Sequence, residues 1–443
     1  MSTAVASPQV IGSLEFSEFL NQLSSEPQWL TEVRRNAFDT FSSMPWPTSK
    51  DEEWRRTDIR AFKLKTFALQ QSSHAPSLDE INSVSPVRDR LANHYSTGIV
   101  QIAGHTTQPA DLTKLGQVVL CDFQTALASH SDLVRNHLSQ IVETNEDALS
   151  ALHIAMMRGG FLLYVPKGVK LKDPLYALSA LTSEHRVDTS HTLIILEDDA
   201  EATLVHDLAG IGEPKPGLHL GSVEIIVGKN SHLKYVRIQN WDDQTWHFSR
   251  ERAVVAEHGK IQWTIGGLGS RLSKVNQETS LTGPKASAQV NGVMFTTGKQ
   301  HLAYFTRQDH QAPDTTSDLL YKGGLTGKSR TVWKGMIRVE PDAQKTDAYQ
   351  KNDSIVLSDE ARADSIPGLE IEANDVRCTH GATAGPVDPE MIFYCQARGI
   401  PAETAKRLVV EGFFANVYDR ISVEPVRESL QAAVAKKLAL GQS

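Results

Sequence analysis

A short polar turn followed by a new strand recurs through the middle of the chain. Glu197-Asp198-Asp199-Ala200, Gly228-Lys229-Asn230-Ser231, Glu257-His258-Gly259-Lys260 and Gly283-Pro284-Lys285-Ala286 end 31, 29 and 26 residues apart. Glu340-Pro341-Asp342-Ala343 ends 57 residues further on, about two such periods. Between the turns lie strand-like runs at Phe161–Val165, His191–Leu196, Val223–Val227, Leu233–Ile238, Ile261–Ile265 and Thr331–Val339. A drifting repeat of this kind is what stacked coils leave in a sequence, because each coil buries its apolar face only against its neighbours. Almost no helical pattern separates these strands, which excludes a doubly wound α/β sheet. The reading is a mainly β chain with a β-solenoid core, a β-sandwich being the alternative that strand-and-turn spacing leaves open.

Helical periodicity brackets this core. Phe16, Phe19, Leu20 and Leu23 follow Ser13 at helical spacing, and Pro27 separates them from Leu30, Val33, Ala37, Phe38 and Phe41. A strand-like run at 117–121 and a helix at about 143–158 come next. Past Pro386, Asp388-Pro389-Glu390 reads as a capped helix start, Gly399 as its end, and a second helix begins near Pro401. That helix carries a stripe of Val409, Phe413, Val417 and Ile421, flanked by Val410, Phe414 and Tyr418. So broad a band either packs on the solenoid end or docks a partner. A last helix covers about Glu424 to Leu440. The expected domains are an N-terminal helical domain at 1–95, a mixed connecting segment at 96–160, the β-helix core at 161–385 and a C-terminal helical domain at 386–443.

The bulk chemistry narrows the function classes. A net charge of −8 and the absence of a Lys/Arg-rich block argue against nucleic acid. There is no apolar run of about 18 residues, so no membrane span is expected. The start of the chain has neither a basic segment nor a long apolar one, and the expected location is cytoplasmic. Three cysteines, Cys121, Cys378 and Cys395, without a CxxC, fit a reducing compartment.

Several motifs fail on inspection. Gly323-Gly324-Leu325-Thr326-Gly327-Lys328-Ser329 has Lys322 where a phosphate-binding loop needs its first glycine, so it reads as a turn. HExxH and Gly-x-Ser-x-Gly are absent, which removes two hydrolase readings. A polysaccharide-cleaving solenoid would need clustered carboxylates on one face, and the acidic pairs here lie in turns. Cys121 and Cys395 sit among apolar residues and read as core. One segment stands apart: Asn374-Asp375-Val376-Arg377-Cys378-Thr379-His380-Gly381-Ala382-Thr383. In a strand, Cys378 and His380 leave the same face, roughly 7 Å apart. A thiolate and an imidazole suit iron, zinc or an iron–sulfur cluster. Two ligands complete no such site, so further donors must come from elsewhere.

Those residues, with Pro47-Thr48-Ser49-Lys50-Asp51-Glu52-Glu53-Trp54-Arg55-Arg56-Thr57-Asp58, Val165-Pro166-Lys167-Gly168-Val169, Pro367-Gly368-Leu369-Glu370-Ile371 and Phe393-Tyr394-Cys395-Gln396-Ala397-Arg398-Gly399-Ile400, resemble the SufB/SufD iron–sulfur cluster assembly scaffold family. The likeness is to its SufD-type members. SufB-type chains carry His-Glu-Ala-Thr where this one has His380-Gly381-Ala382-Thr383, and a cysteine after the element that here continues to Glu372-Ala373. The resemblance implies a right-handed parallel β-helix between helical domains, in a non-catalytic scaffold subunit. It implies pairing with SufB through the β-helix and docking of the SufC ATPase on the C-terminal helical domain, for which Val409, Phe413, Phe414 and Val417 are the candidates. It also implies that His380, with Cys378 beside it, serves a transient iron or iron–sulfur cluster shared with SufB, none being permanently bound. A self-associating, SufB-like homodimeric scaffold is the alternative.

Overall fold

The computed structural model describes residues 12–23, 25–67, 76–83, 95 and 97–440. The helical character expected at 68–75 and 84–94, and the reading of the first eleven residues, lie outside them. The recurring turns are stacked corners of a parallel β-solenoid. At each corner one residue takes left-handed backbone: Asp199, Asn230, His258, Lys285, Asp314 and Lys345, with φ between 56° and 62°. None is glycine, so each accepts a cost of roughly 1–2 kcal/mol. The offset is a backbone ladder from coil to coil. Asp199 N–H donates to Lys229 O at 2.7 Å, Asn230 to Glu257 at 3.0 Å, His258 to Pro284 at 3.0 Å and Lys285 to Pro313 at 3.1 Å. Asp314 then donates to Gln344 O at 2.9 Å and Lys345 to Asp375 O at 2.6 Å. The corner at Asp314 falls inside the 57-residue gap and divides it into two ordinary periods.

Two ten-stranded sheets form the walls. The first runs through Thr97–Ile102, Leu175–Leu181, Glu201–Gly210, His232–Asn240, Lys260–Gly267, Ser287–Thr296, Thr316–Leu325, Asp347–Val356 and Arg377–Pro386. The second includes Phe161–Val165, His191–Leu196, Gly217–Val227, Thr245–Val255, Leu272–Leu281, His301–His310, Arg330–Val339 and Arg362–Ile371. These strands pair in parallel, so like positions stack. Leu204, Tyr235, Trp263, Val290 and Leu319 are register partners in sequence and all lie in the buried lumen. Each such side chain contributes about 1.5–3 kcal/mol by leaving water.

Both flanks are covered. On the second sheet lie the helices Gln28–Ser43 and Ala148–Met156, with Phe62 wedged 5.2 Å from Trp246 and 5.1 Å from Phe248 between ring centroids. Phe16, Phe19, Leu23, Leu30, Ala37, Phe38 and Phe41 are buried, as the helical spacing requires. On the first sheet lie Ala402–Tyr418 and Glu424–Leu440. Here the structure corrects one expectation. Phe414 and Val417 are 0% exposed, packed with Val293, Phe295 and Leu320 on the sheet's outer face, while Val409 and Phe413 are partly buried. The apolar stripe covers an apolar patch of the solenoid's flank, so Phe414 and Val417 are not open to a partner, while Val409 and Phe413 keep part of their surface. One glycine of the false phosphate loop serves this packing: a Cβ on Gly324 would lie 2.5 Å from the Phe295 ring and 3.3 Å from Phe414. Among the described residues no helix is long and apolar enough to cross a membrane.

Candidate functional site at the open end of the solenoid

The last strand of the first sheet, Arg377–Pro386, places the thiol and imidazole. It pairs in parallel with Asp347–Val356, which sets Cys378 opposite Ala348 and His380 opposite Gln350. Ala348 and Gln350 are inward residues, 1% and 0% exposed, so Cys378 and His380 stand on the lumen side of the final coil. The i, i+2 expectation therefore holds, and the face they share is the solenoid's mouth. Cys378 is half-buried against the cluster of Ile337, Val339, Ala343, Ala348 and Ala373. His380 is exposed.

Burial raises the Cys378 thiol above its usual range; the Ala348 backbone amide opposes this and the Asp347 carboxylate adds to it. The thiol is protonated at neutral pH, so a metal would bind by displacing that proton. Beneath the pair is a polar floor. Gln350 donates its amide to Gly368 O at 2.9 Å, and Ser365 hydrogen-bonds Asn352. Gln350 Oε1 and Asn352 Nδ2 are buried without a partner. The alternation of Gln350, Asn352 and Ser354 is the sequence trace of this floor, and hydrophobic periodicity does not show it because it is polar. Among the described residues no group of three or more His, Cys, Asp or Glu is placed to hold a metal, so Cys378 and His380 supply at most two donors.

The mouth is also an unpaired edge. Arg377–Pro386 and Arg362–Ile371 each have a neighbour on one side only, and neither strand has a buried residue. Leu369 and Ile371 stand 37% and 40% exposed on the second of them. Nearby in sequence, the helix Pro389–Ala397 has no buried residue either, and exposes Met391, Phe393 and Tyr394. Cys395 on this helix is half-buried, outside the core expected for it, whereas Cys121 is buried.

Residues 179–413 match the family model "SUF system FeS cluster assembly, SufBD core domain", and residues 15–176 match "SufBD protein N-terminal region". The chain belongs to the SufBD family. It is 28% identical to the iron–sulfur cluster assembly protein SufD of Bacillus subtilis over 96% of this chain and 97% of that one. It is 27% identical to the SufB protein of the same organism over 90% and 87%. A SufBD family protein of Staphylococcus epidermidis matches at 28% over 89% and 86%. The SufBD family is a scaffold for iron–sulfur cluster assembly, and that is the process this chain serves. Its solenoid coincides with most of the SufBD core match, and the open mouth falls within that match.

Proposed function

We propose that this chain is the SufD-type scaffold subunit of an ATP-driven assembly complex. Its open solenoid end meets a SufB-type chain, and His380, with Cys378, presents donors to iron or to the growing cluster at that junction. The observation that carries this reading is the placing of both side chains on the lumen face of a strand whose outer edge is unpaired. A partner strand added there would satisfy the edge and bring the missing ligands at once. The iron or cluster is cargo, held transiently. Hydrolysis of ATP belongs to a SufC-type partner. Its docking surface is the C-terminal helical region, now centred on exposed Met391, Phe393, Tyr394 and Leu408 rather than on Phe414 and Val417. Three free cysteines suit work in a reducing cytoplasm. A second copy of the chain would fit the same open edge, which keeps the self-associating scaffold as the other reading.

The test is anaerobic co-expression with SufB- and SufC-type partners, affinity purification and a visible absorption spectrum. His380→Ala should leave the complex intact and weaken cluster retention by at least the roughly 10–100-fold that losing an outer-sphere partner costs a metal site. Cluster absorbance indifferent to His380 and Cys378 would leave the chain a structural and docking subunit. Absence of any complex, with a stable homodimer, would favour self-association.

A further inference from the structure

Opposite the left-handed corners, the turns that lead from the first sheet to the second enclose a pocket of about 550 Å³, closed on one side by the last turn of the C-terminal helix. This volume is that of a small-molecule site. Three cations line it: Arg271, Lys299 and Lys437. Each comes from a different element, so the solenoid stacking and the helix docking together assemble the group. In a chain of net charge −8, most described buried or half-buried cations have a carboxylate within salt-bridge distance. Among the described residues these three form no salt bridge; Arg271 and Lys299 are exposed, where that is ordinary, and Lys437 is the part-buried one.

Lys437 is the most telling. Its ammonium donates to Gln300 Oε1 at 2.9 Å, a neutral acceptor. Gln300 is itself buried and fixed, donating to Ser270 O at 3.0 Å and accepting from Thr297 N–H at 3.0 Å. Burial lowers the Lys437 amine to about 8, and Asp243 on the pocket wall opposes the shift without closing an ion pair. A part-buried cation with only an amide partner is under-compensated. Arg271 lies over the face of Trp246, its Cζ 5.2 Å from the ring centroid, which leaves the in-plane N–H fork open to a planar or tetrahedral anion. Gly298, at φ 57°, has nothing within 4 Å of where a Cβ would stand, so its turn is open at that point of the wall. Buried Trp241, also on the wall, has an indole N–H without a partner.

We propose that this pocket is a binding site for a phosphate group, held by Arg271, Lys299 and Lys437. The anion supplies the counter-charge that Lys437 lacks and takes N–H donors from the Arg271 fork and the two ammonium groups. It is remote from the Cys378–His380 mouth and makes no use of it. The phosphate is either inorganic or the terminus of a larger molecule.

The test uses the purified full-length chain at fixed ionic strength, with inorganic phosphate and pyrophosphate as probes and calorimetry or phosphorus NMR line width as readout. Saturable binding is expected for at least one probe, weakened tenfold or more by Arg271→Gln and by Lys437→Gln, and unchanged by Arg377→Gln on the distant last strand. Tighter binding of pyrophosphate would indicate a larger natural ligand, and equal binding inorganic phosphate itself. Because Lys437 also anchors a helix, a thermal melt accompanies each variant. Arg271, which is exposed, carries the test if Lys437→Gln loosens the fold. No saturation by either probe up to about 10 mM, weaker than three converging cations should give, overturns the proposal. So does binding that is indifferent to both substitutions.

Discussion

The two ends of the solenoid follow opposite plans. At the first end His105–Gln108 folds back antiparallel on Thr97–Ile102, and Val119–Asp122 does the same on Phe161–Val165. Leu162 and Leu163 there are 0% exposed. At the last end Arg362–Ile371 and Arg377–Pro386 have the same strand length as the coils below, yet bury nothing. The repeat therefore specifies a coil, but only the next coil makes it a core. The final coil is left bare, with a thiol and an imidazole turned into its mouth and its outer edge unpaired.

That contrast can be broken in the body first. Phe414→Ala should cost about 3–5 kcal/mol, seen as a lower denaturation midpoint, because it empties the interface between helix and first sheet. A loss under about 1 kcal/mol would mean that the helix is held mainly by other contacts. Acid should unload the same body. Burial pushes the His310 imidazole from 6.5 down to about 4, between hydroxyls of Thr315 and Ser317 at 2.8 Å each. The unfolded chain takes up this proton below about 6.5 while the native one does not, so stability falls as pH drops from there toward 4. His310→Gln should flatten that part of a plot of urea midpoint against pH, and a curve parallel to the parent's would contradict the assignment.

Smaller effects sharpen the comparison. At a corner, Asn230→Val should destabilise by about 1–2 kcal/mol and Asn230→Gly by far less, since only the β-branched residue resists left-handed backbone. Equal losses would show that the Asn230 side chain, bonded to Asp199 at 3.0 Å, matters more than its backbone. At the open end, Ile371→Asp should change stability by no more than about 0.5 kcal/mol yet abolish association with the partner chain in size-exclusion chromatography. A large stability loss there would mean the bare coil is not bare in solution.

How far the sequence was legible follows the same division. Phe161–Val165 and, after His191 and Thr192, Leu193–Leu196 are apolar runs, and both strands were legible to the residue. Asp347–Val356 was not, because its inward positions are Gln350 and Asn352, so apolar alternation fails where the lumen nears its mouth. The common face of Cys378 and His380 was legible from strand period alone. That this face is the lumen could not be, since it depends on Ala348 and Gln350 one coil away. The stripe from Val409 to Ile421 was recognised as buried by something, and its cover, Val293 and Phe295, lies more than a hundred residues earlier. Arg271, Lys299 and Lys437 carry no local pattern at all.

One bare end and one capped end also bear on counting. A rod with two sticky ends adds units without limit, whereas among the described residues this one has a coil with no buried residue at its last end and a folded-back one at its first. If the open end is the junction proposed above, growth along the axis stops at a pair, and the junction lies at the middle of that assembly.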